Sequence, residues 1–464
     1  MFPRPTPRFY HIAITLLVLV VLIGMAWLWS PSGDEDLYAE MSDEQILAAA
    51  AEFYESRPYY ERPFPYTEIP EGLADIRAET CGQCHGEIHA EWSISTHRRA
   101  WTDDAQFMEE LAKARGDYYE DQEADYSWMC VNCHTPQMRQ LERLVVDLVD
   151  DDIGQPVYVD NPVFDEKMQQ EAIGCATCHV QDGTVYGPRG DTDAPHSVTR
   201  GDHLMDEQNC VRCHQAEALY PDDVLGCFFT TGDEWRHSPA AEDGKLCQDC
   251  HMPKTTRPLA AGFDVPERET GRHWFGGSLI PKHPDFEEEI AELRSIFGSG
   301  ATILIDDHPD GDRLAVRVHN KYAGHLFPTG DPERHVEVEI SVRDGEGELV
   351  AEAFERIGSR YEWYPEIKLL SDNRIPPGES LYIDVDWPES QAPVTVEIEA
   401  HKYRMYRDDF DYHELEGRYV RGRSFHASRW IVDLQRNKAQ LERIDDDLGS
   451  RDELEPTATP PANR

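Results

Sequence analysis

Basic residues are scarce in this chain. Its 464 residues include 44 Lys and Arg against 90 Asp and Glu, a formal charge of −46. A surface of that sign repels phosphate backbones, which excludes nucleic acid as a partner. The excess serves either solubility or the steering of basic partner proteins, and composition does not separate the two. Cysteine outside one repeated pattern is scarcer still: of 11 cysteines only Cys227 falls elsewhere. It reads as a small buried apolar residue rather than a reactive thiol or iron ligand.

The pattern that takes the other ten is C-x-x-C-H, present five times. The copies are Cys81, Cys84, His85; Cys130, Cys133, His134; Cys175, Cys178, His179; Cys210, Cys213, His214; and Cys247, Cys250, His251. Two cysteines three apart on a helical turn share a face and can form thioethers to the two vinyl groups of one haem. The adjacent histidine then reaches the iron from the proximal side. Structural zinc would pair the C-x-x-C units, leaving one of five unmatched and every histidine idle. Disulfides have no use for the histidine either. The expectation is five covalently bound haem c groups. The whole chain is only 40% hydrophobic, and the haem region is expected to depend on its cofactors as core filler.

Residues 10 to 29 are apolar and carry no fixed charge. Twenty residues at 1.5 Å each span about 30 Å, the thickness of a bilayer core. Arg4 and Arg8 precede the run, and Asp34, Glu35 and Asp36 follow it, which predicts an N-terminus that stays in the cytoplasm. An uncleaved anchor over 1–30 is the adopted reading and a cleaved signal peptide the alternative, since no A-x-A site follows. Either way the rest of the chain is exported. The expected location is the periplasmic face of the inner membrane.

Ser42-Asp43-Glu44-Gln45 is a capping box that opens a helix to about Arg57, within a helix and proline-rich linker over 31–80. A haem domain follows over 81–298, with motif steps of 49, 45, 35 and 37 residues, too irregular for a solenoid. Gly, Pro and Asp between motifs predict short helices joined by loops. Over 299–430 the segments ATILI, RLAVRVHN, RHVEVEISV, LVAEAF, SLYIDVDW and VTVEIEAHKY alternate apolar and polar residues. Such spacing predicts an antiparallel β-sandwich. A charged helix and a disordered tail are expected over 431–464. The predicted fold class is therefore α+β: a helical, loop-rich multihaem domain, a C-terminal sandwich and an N-terminal transmembrane helix.

The segment CGQCHGEIHAEWSISTHRRAW, from Cys81 to Trp101, resembles the first haem motif of multihaem cytochromes of the c-552/c-554 family, relatives of the hydroxylamine oxidoreductase group. IGCATCHVQDGTVYGP with the later APH, TGDEWRHSPAAEDGKLCQDCHMP, GRHWFGG and NKYAGHLFPTGDPERH resemble later family segments, so the likeness covers roughly residues 80 to 340. It implies that His97 ligates a haem other than its own motif's, and that His196, His273 and His325 are further distal ligands. His325 would reach back from the β domain. His89, His203 and His237 stay open as candidates; His237 precedes Ser238-Pro239 where relatives carry it after the proline. His283, His308, His319, His335, His401, His413 and His426 are read as structural.

The expected function is electron transfer by a membrane-anchored pentahaem cytochrome of a respiratory chain. Its partners would be donor and acceptor cytochromes or a quinol-oxidising complex. The alternative is an oxidoreductase acting on nitrite, hydroxylamine or another small nitrogen or sulfur compound at a haem with an open axial position. No C-x-x-C-K motif of the nitrite-reducing kind is present. A structural or filament subunit is a third class, disfavoured by the acidic surface.

Overall fold

The computed structural model describes residues 38, 41–117, 124–190, 194–219, 226–260, 262–294, 296–311, 313–363, 366–389 and 392–444. The expected membrane anchor and disordered tail lie outside these residues. Among the described residues no helix is long and apolar enough to cross a membrane.

Helix α1, Asp43–Glu55, starts where the capping box puts it. The Ser42 hydroxyl accepts from the Gln45 amide, Gln45 returns the bond to the Ser42 amide, and Asp43 and Glu44 sit in the positively polarised first turn. The helix buries Ala50 and Tyr54 against the β1–β2 hairpin (Arg143–Leu148, Pro156–Asp160) and Trp128. Phe53 meets Trp128 edge-on at 5.7 Å. This hairpin is structure that the turn residues between the second and third motifs did not announce.

The haem-motif region is short helices, as expected, with small sheets between them. Its helices are α2 (Ala78–Gly82), α3 (Gly86–Ser93), α4 (Ala105–Ala114), α5 (Ser127–His134), α6 (Glu166–Gln170), α7 (Cys175–His179), α8 (Gln208–His214), α9 (Thr231–Arg236), α10 (Pro239–Glu242), α11 (Cys247–His251) and α12 (Glu287–Arg294). The strands β3, β4 and β5 (Val180–Gln181, Thr184–Gly187, Val198–Arg200) form one small sheet. The pairs β6–β7 (Ala216–Leu219, Gly226–Phe229) and β8–β9 (Lys254–Pro258, Glu267–Gly271) form two more.

The C-terminal half is two antiparallel sheets around one core. Strands β10 (Thr302–Asp307), β11 (Leu314–His319) and β15 (Ser380–Ile383) form the smaller sheet. The larger runs β14-β13-β12-β16-β17-β18, with β12 His335–Arg343, β13 Leu349–Glu362, β14 Lys368–Asp372, β16 Val394–Tyr403, β17 Gly422–Asp433 and β18 Lys438–Ile444. Period-two alternation explains the packing. Val336, Val338, Ile340 and Val342 of β12 and Val396, Ile398 and Ala400 of β16 are all within 1% of full burial, while the residues between them face outward. They meet Ile303, Val316 and Val318 from the other sheet in a single cluster. Each of the Val and Ile side chains contributes roughly 1.5–3 kcal/mol by leaving water.

One expectation is overturned here. The stretch after Ser428, read as a helix, is the β17–β18 hairpin. Its charges hid the alternation in KAQLERI, where Ala439 and Leu441 pack on the core and Lys438, Gln440 and Glu442 do not.

Candidate functional site

Every C-x-x-C-H motif meets a helix: α2 runs through Cys81, and α5, α7, α8 and α11 each end on the motif histidine. Helical spacing of three brings both thiols of a motif onto one side, with the histidine following them. The five motifs interlock. Helix α2 of the first motif packs against α7 of the third. Gln137, just after the second motif, donates to the Ala176 carbonyl inside the third at 3.1 Å, and Gln248 of the fifth donates to the Leu204 carbonyl, ahead of the fourth, at 3.4 Å.

Four motif histidines face a second imidazole. Ring centres lie 6.4 Å apart for His85 and His196, 6.4 Å for His97 and His214, 6.3 Å for His179 and His273, and 6.3 Å for His251 and His325. Two metal–nitrogen bonds of about 2.0–2.1 Å, plus about 1.2 Å from each Nε2 to its ring centre, make roughly 6.4 Å for imidazoles on opposite sides of one metal ion. The donor set therefore fits a six-coordinate haem iron at four places. All four histidines singled out by the resemblance are the ones brought opposite a motif histidine. Sequence did not say which motif each would serve: His97 faces the fourth, His196 the first, His273 the third and His325 the fifth.

Hydrogen bonding orients the rings. Nδ1–H donates to a backbone carbonyl in His85 (Leu259, 2.9 Å), His134 (Ala100, 2.6 Å), His179 (Tyr186, 2.8 Å), His251 (Gly276, 2.5 Å), His273 (Gly271, 3.0 Å) and His325 (Leu326, 2.9 Å). A carbonyl only accepts, so this fixes the proton on Nδ1 and leaves the Nε2 lone pair for a metal. Desolvation holds the rings neutral, with His97 down to about 3 and His134, His214 and His273 to about 4. Neutral imidazole is the ligating form.

The remaining candidates fall away from this arrangement. His203 spends its Nε2 on the Cys178 carbonyl at 3.2 Å, His237 bonds the Asp233 carbonyl at 2.8 Å, and His89 packs beside Trp92. Cys227 lies in β7, paired with Ala218.

The second motif differs. Among the described residues no imidazole stands opposite His134 at the through-metal separation. Phe107 of α4 instead lies flat on the His134 ring, with centres 3.4 Å apart and planes within 5°.

Residues 80–153 match the family model described as cytochrome c554 and c-prime. Among solved structures, the penta-heme cytochrome c552 from Thermochromatium tepidum is similar at 16% identity and a TM-score of 0.52, covering 81% of this chain and 100% of that one. That likeness is one of fold. Both comparisons liken the chain to multihaem cytochromes c of the c552/c554 group. No curated protein matches it.

Two supporting devices of this site were missed from sequence. Glu91, in the E-W pair of the first resembling segment, is 5% exposed and is the hub of a buried network. Its carboxylate accepts from Arg257 (2.6 and 3.1 Å), Arg272 (2.6 Å) and the His273 amide (3.0 Å). Burial pushes this carboxyl up, and the bonds from Arg257, the His273 amide and Arg272 outweigh it, leaving the group below its usual range. Glu234 of α9 plays the same part for the turn carrying His325: Thr329 donates to it at 2.5 Å and Arg374 of the β domain at 2.7 Å. Fully buried Asn320 closes the turn by donating to the His325 and Ile375 carbonyls, both at 2.9 Å. A buried acid between two arginines in separate sequence segments leaves no local pattern to read.

Proposed function

We propose that this chain is a multihaem cytochrome c that binds five haem c groups at its five motifs and transfers electrons among them. The observation that carries the reading is the four imidazole pairs at 6.3–6.4 Å. Bound haem supplies reversible one-electron exchange, and histidine on both faces of an iron leaves no position for substrate. The chain's own part is to hold and orient. Cys81, Cys84, Cys130, Cys133, Cys175, Cys178, Cys210, Cys213, Cys247 and Cys250 anchor the porphyrins. His85, His134, His179, His214 and His251 serve as proximal ligands, and His196, His273, His97 and His325 as distal ones.

Packing supports three neighbour relations: helix α2 of the first motif against α7 of the third, the second motif beside the third through Gln137 and the Ala176 carbonyl, and the fifth beside the fourth through Gln248 and the Leu204 carbonyl. An inner-membrane anchor over residues 10–29, a periplasmic haem domain and donor and acceptor redox proteins of a respiratory chain complete the proposal.

His134 favours a second reading, because no described imidazole opposes it. An open axial position on the second haem would let the protein act on a small nitrogen or sulfur compound such as nitrite or hydroxylamine. Low-temperature electron paramagnetic resonance of the oxidised protein separates the two. Four low-spin irons and one high-spin iron that shifts with nitrite or hydroxylamine support catalysis at the second motif. A fifth low-spin iron supports pure conduction. Fewer than four low-spin irons overturn the assignment of the imidazole pairs.

A further inference from the structure

The turn from His97 to Asp104 serves two of the motif histidines at once. His97 puts its ring opposite His214 of the fourth motif, with centres 6.4 Å apart. Three residues on, the Ala100 carbonyl accepts from His134 Nδ1 of the second motif at 2.6 Å. The turn is bonded within itself: the Ala100 amide donates to the His97 carbonyl at 3.3 Å and the Asp104 amide to the Trp101 carbonyl at 2.8 Å. Ala100 and Trp101 are buried, so the carbonyl that meets His134 has little freedom to move alone. Phe107, in the first turn of α4, adds its flat contact with the His134 ring.

Charge holds the end of this turn. Asp104 stands at the N-cap of α4, where an aspartate ordinarily accepts from the helix's own first amides. Here its side chain makes no such bond. It pairs instead with Lys282 Nζ, from the segment that follows the fifth motif. The pair is enclosed, the Asp104 side chain being 4% exposed and that of Lys282 12%. An aspartate that gives up its cap for a buried lysine fixes one part of the molecule to another, and removing either partner strands a charge out of water. Arg99 repeats the link nearer the surface. It reaches Glu289 of α12 at 3.1 Å, and its guanidinium lies 3.9 Å from the Phe286 ring centre. Phe275, from the same segment as Lys282, packs on the His97 ring with centres 4.5 Å apart.

We propose that the turn from His97 to Asp104 is a shared support for the second and fourth haem sites, with Asp104 and Lys282 as the positioning residues that hold it. This rests on the five-haem reading above. The Ala100 carbonyl makes His134 a stronger donor to the iron it would bind, which favours the ferric state and lowers the potential of that haem. A turn that loosens therefore raises the potential at the second site and reorients the His97 ring at the fourth.

The test is a redox titration of the full-length haem-loaded protein, followed by low-temperature electron paramagnetic resonance, for wild type, Asp104→Asn and Lys282→Met. His97→Ala identifies the fourth haem by the low-spin signal it removes, and His134→Met the second by the signal it displaces. Haem count by mass and the count of low-spin irons in wild type test the five-haem reading separately. The two substitutions change local charge in opposite senses, so a field effect alone raises the second midpoint in Asp104→Asn and lowers it in Lys282→Met. A shared support gives a rise in both, together with an altered low-spin resonance of the fourth haem. Any other pattern of second-site midpoints, or a fourth resonance unchanged in both variants, overturns the proposal. Should either variant lose haem, Arg99→Gln loosens the same turn from its more exposed side. There a raised second midpoint with an altered fourth resonance supports the shared support, and a midpoint that falls or stays, or an unmoved fourth resonance, overturns it.

Discussion

Replacing Glu91 by alanine tests the link between buried charge and ligand placement. The Arg257 side chain is 5% exposed, and two of its nitrogens bond Glu91. The substitution leaves that guanidinium with Thr270 Oγ1 at 3.0 Å, the Gly271 carbonyl at 3.2 Å and a distant Glu87 at 3.7 Å. Removing one partner of a buried ion pair costs about 3–5 kcal/mol, because the other charge stays out of water. The His273 amide loses its acceptor as well, which is part of that cost rather than an addition to it. Against a native stability of roughly 5–15 kcal/mol the loss is severe. It is also directed, since Gly271 and His273 form the segment that places an imidazole opposite His179. The expected outcome is a fall of about 3–5 kcal/mol in stability by denaturant titration, with one additional high-spin iron in the resonance spectrum. A variant that keeps wild-type stability within about 1 kcal/mol and every low-spin signal refutes the reasoning.

Three further outcomes are expected. His325→Ala converts the fifth-motif haem alone to high spin, counted by resonance and by binding of carbon monoxide to the reduced protein, while all five haems stay covalently attached by mass. Burial holds His426 neutral, its value lowered from 6.5 to about 4. The unfolded chain therefore binds the extra proton first, and stability falls as pH drops from about 6.5 towards 4, by up to roughly 3 kcal/mol. His426→Gln should flatten that slope in urea midpoints measured across the range. Ile398→Ala, at a fully buried position between the two sheets, should cost about 2–5 kcal/mol without altering the haem spectrum.

The sequence was most legible where chemistry demands fixed spacing. C-x-x-C-H names ten thiols and five histidines without help from the fold. The capping box at Ser42 and the alternation in RHVEVEISV and VTVEIEAHKY placed a helix and two central strands, because those patterns act over a few residues. The four histidines that face motif histidines were singled out through family likeness, but not as pairs. His97 and His214 are 117 positions apart, and only the folded chain brings their rings to 6.4 Å. Glu91 and Glu234 were invisible for the same reason. The error after Ser428 had another cause: in KAQLERI, charge density suggested a solvated helix, whereas Ala439 and Leu441 supply just enough apolar surface for an edge hairpin.

Under the proposed pairing of His325 with His251, the chain's own order would set an order of assembly. All ten motif thiols lie at or before Cys250, and the strands of the sandwich all follow. The fifth site would then be complete only once the sandwich has folded against the first half, so that closure would depend on a loaded fifth motif.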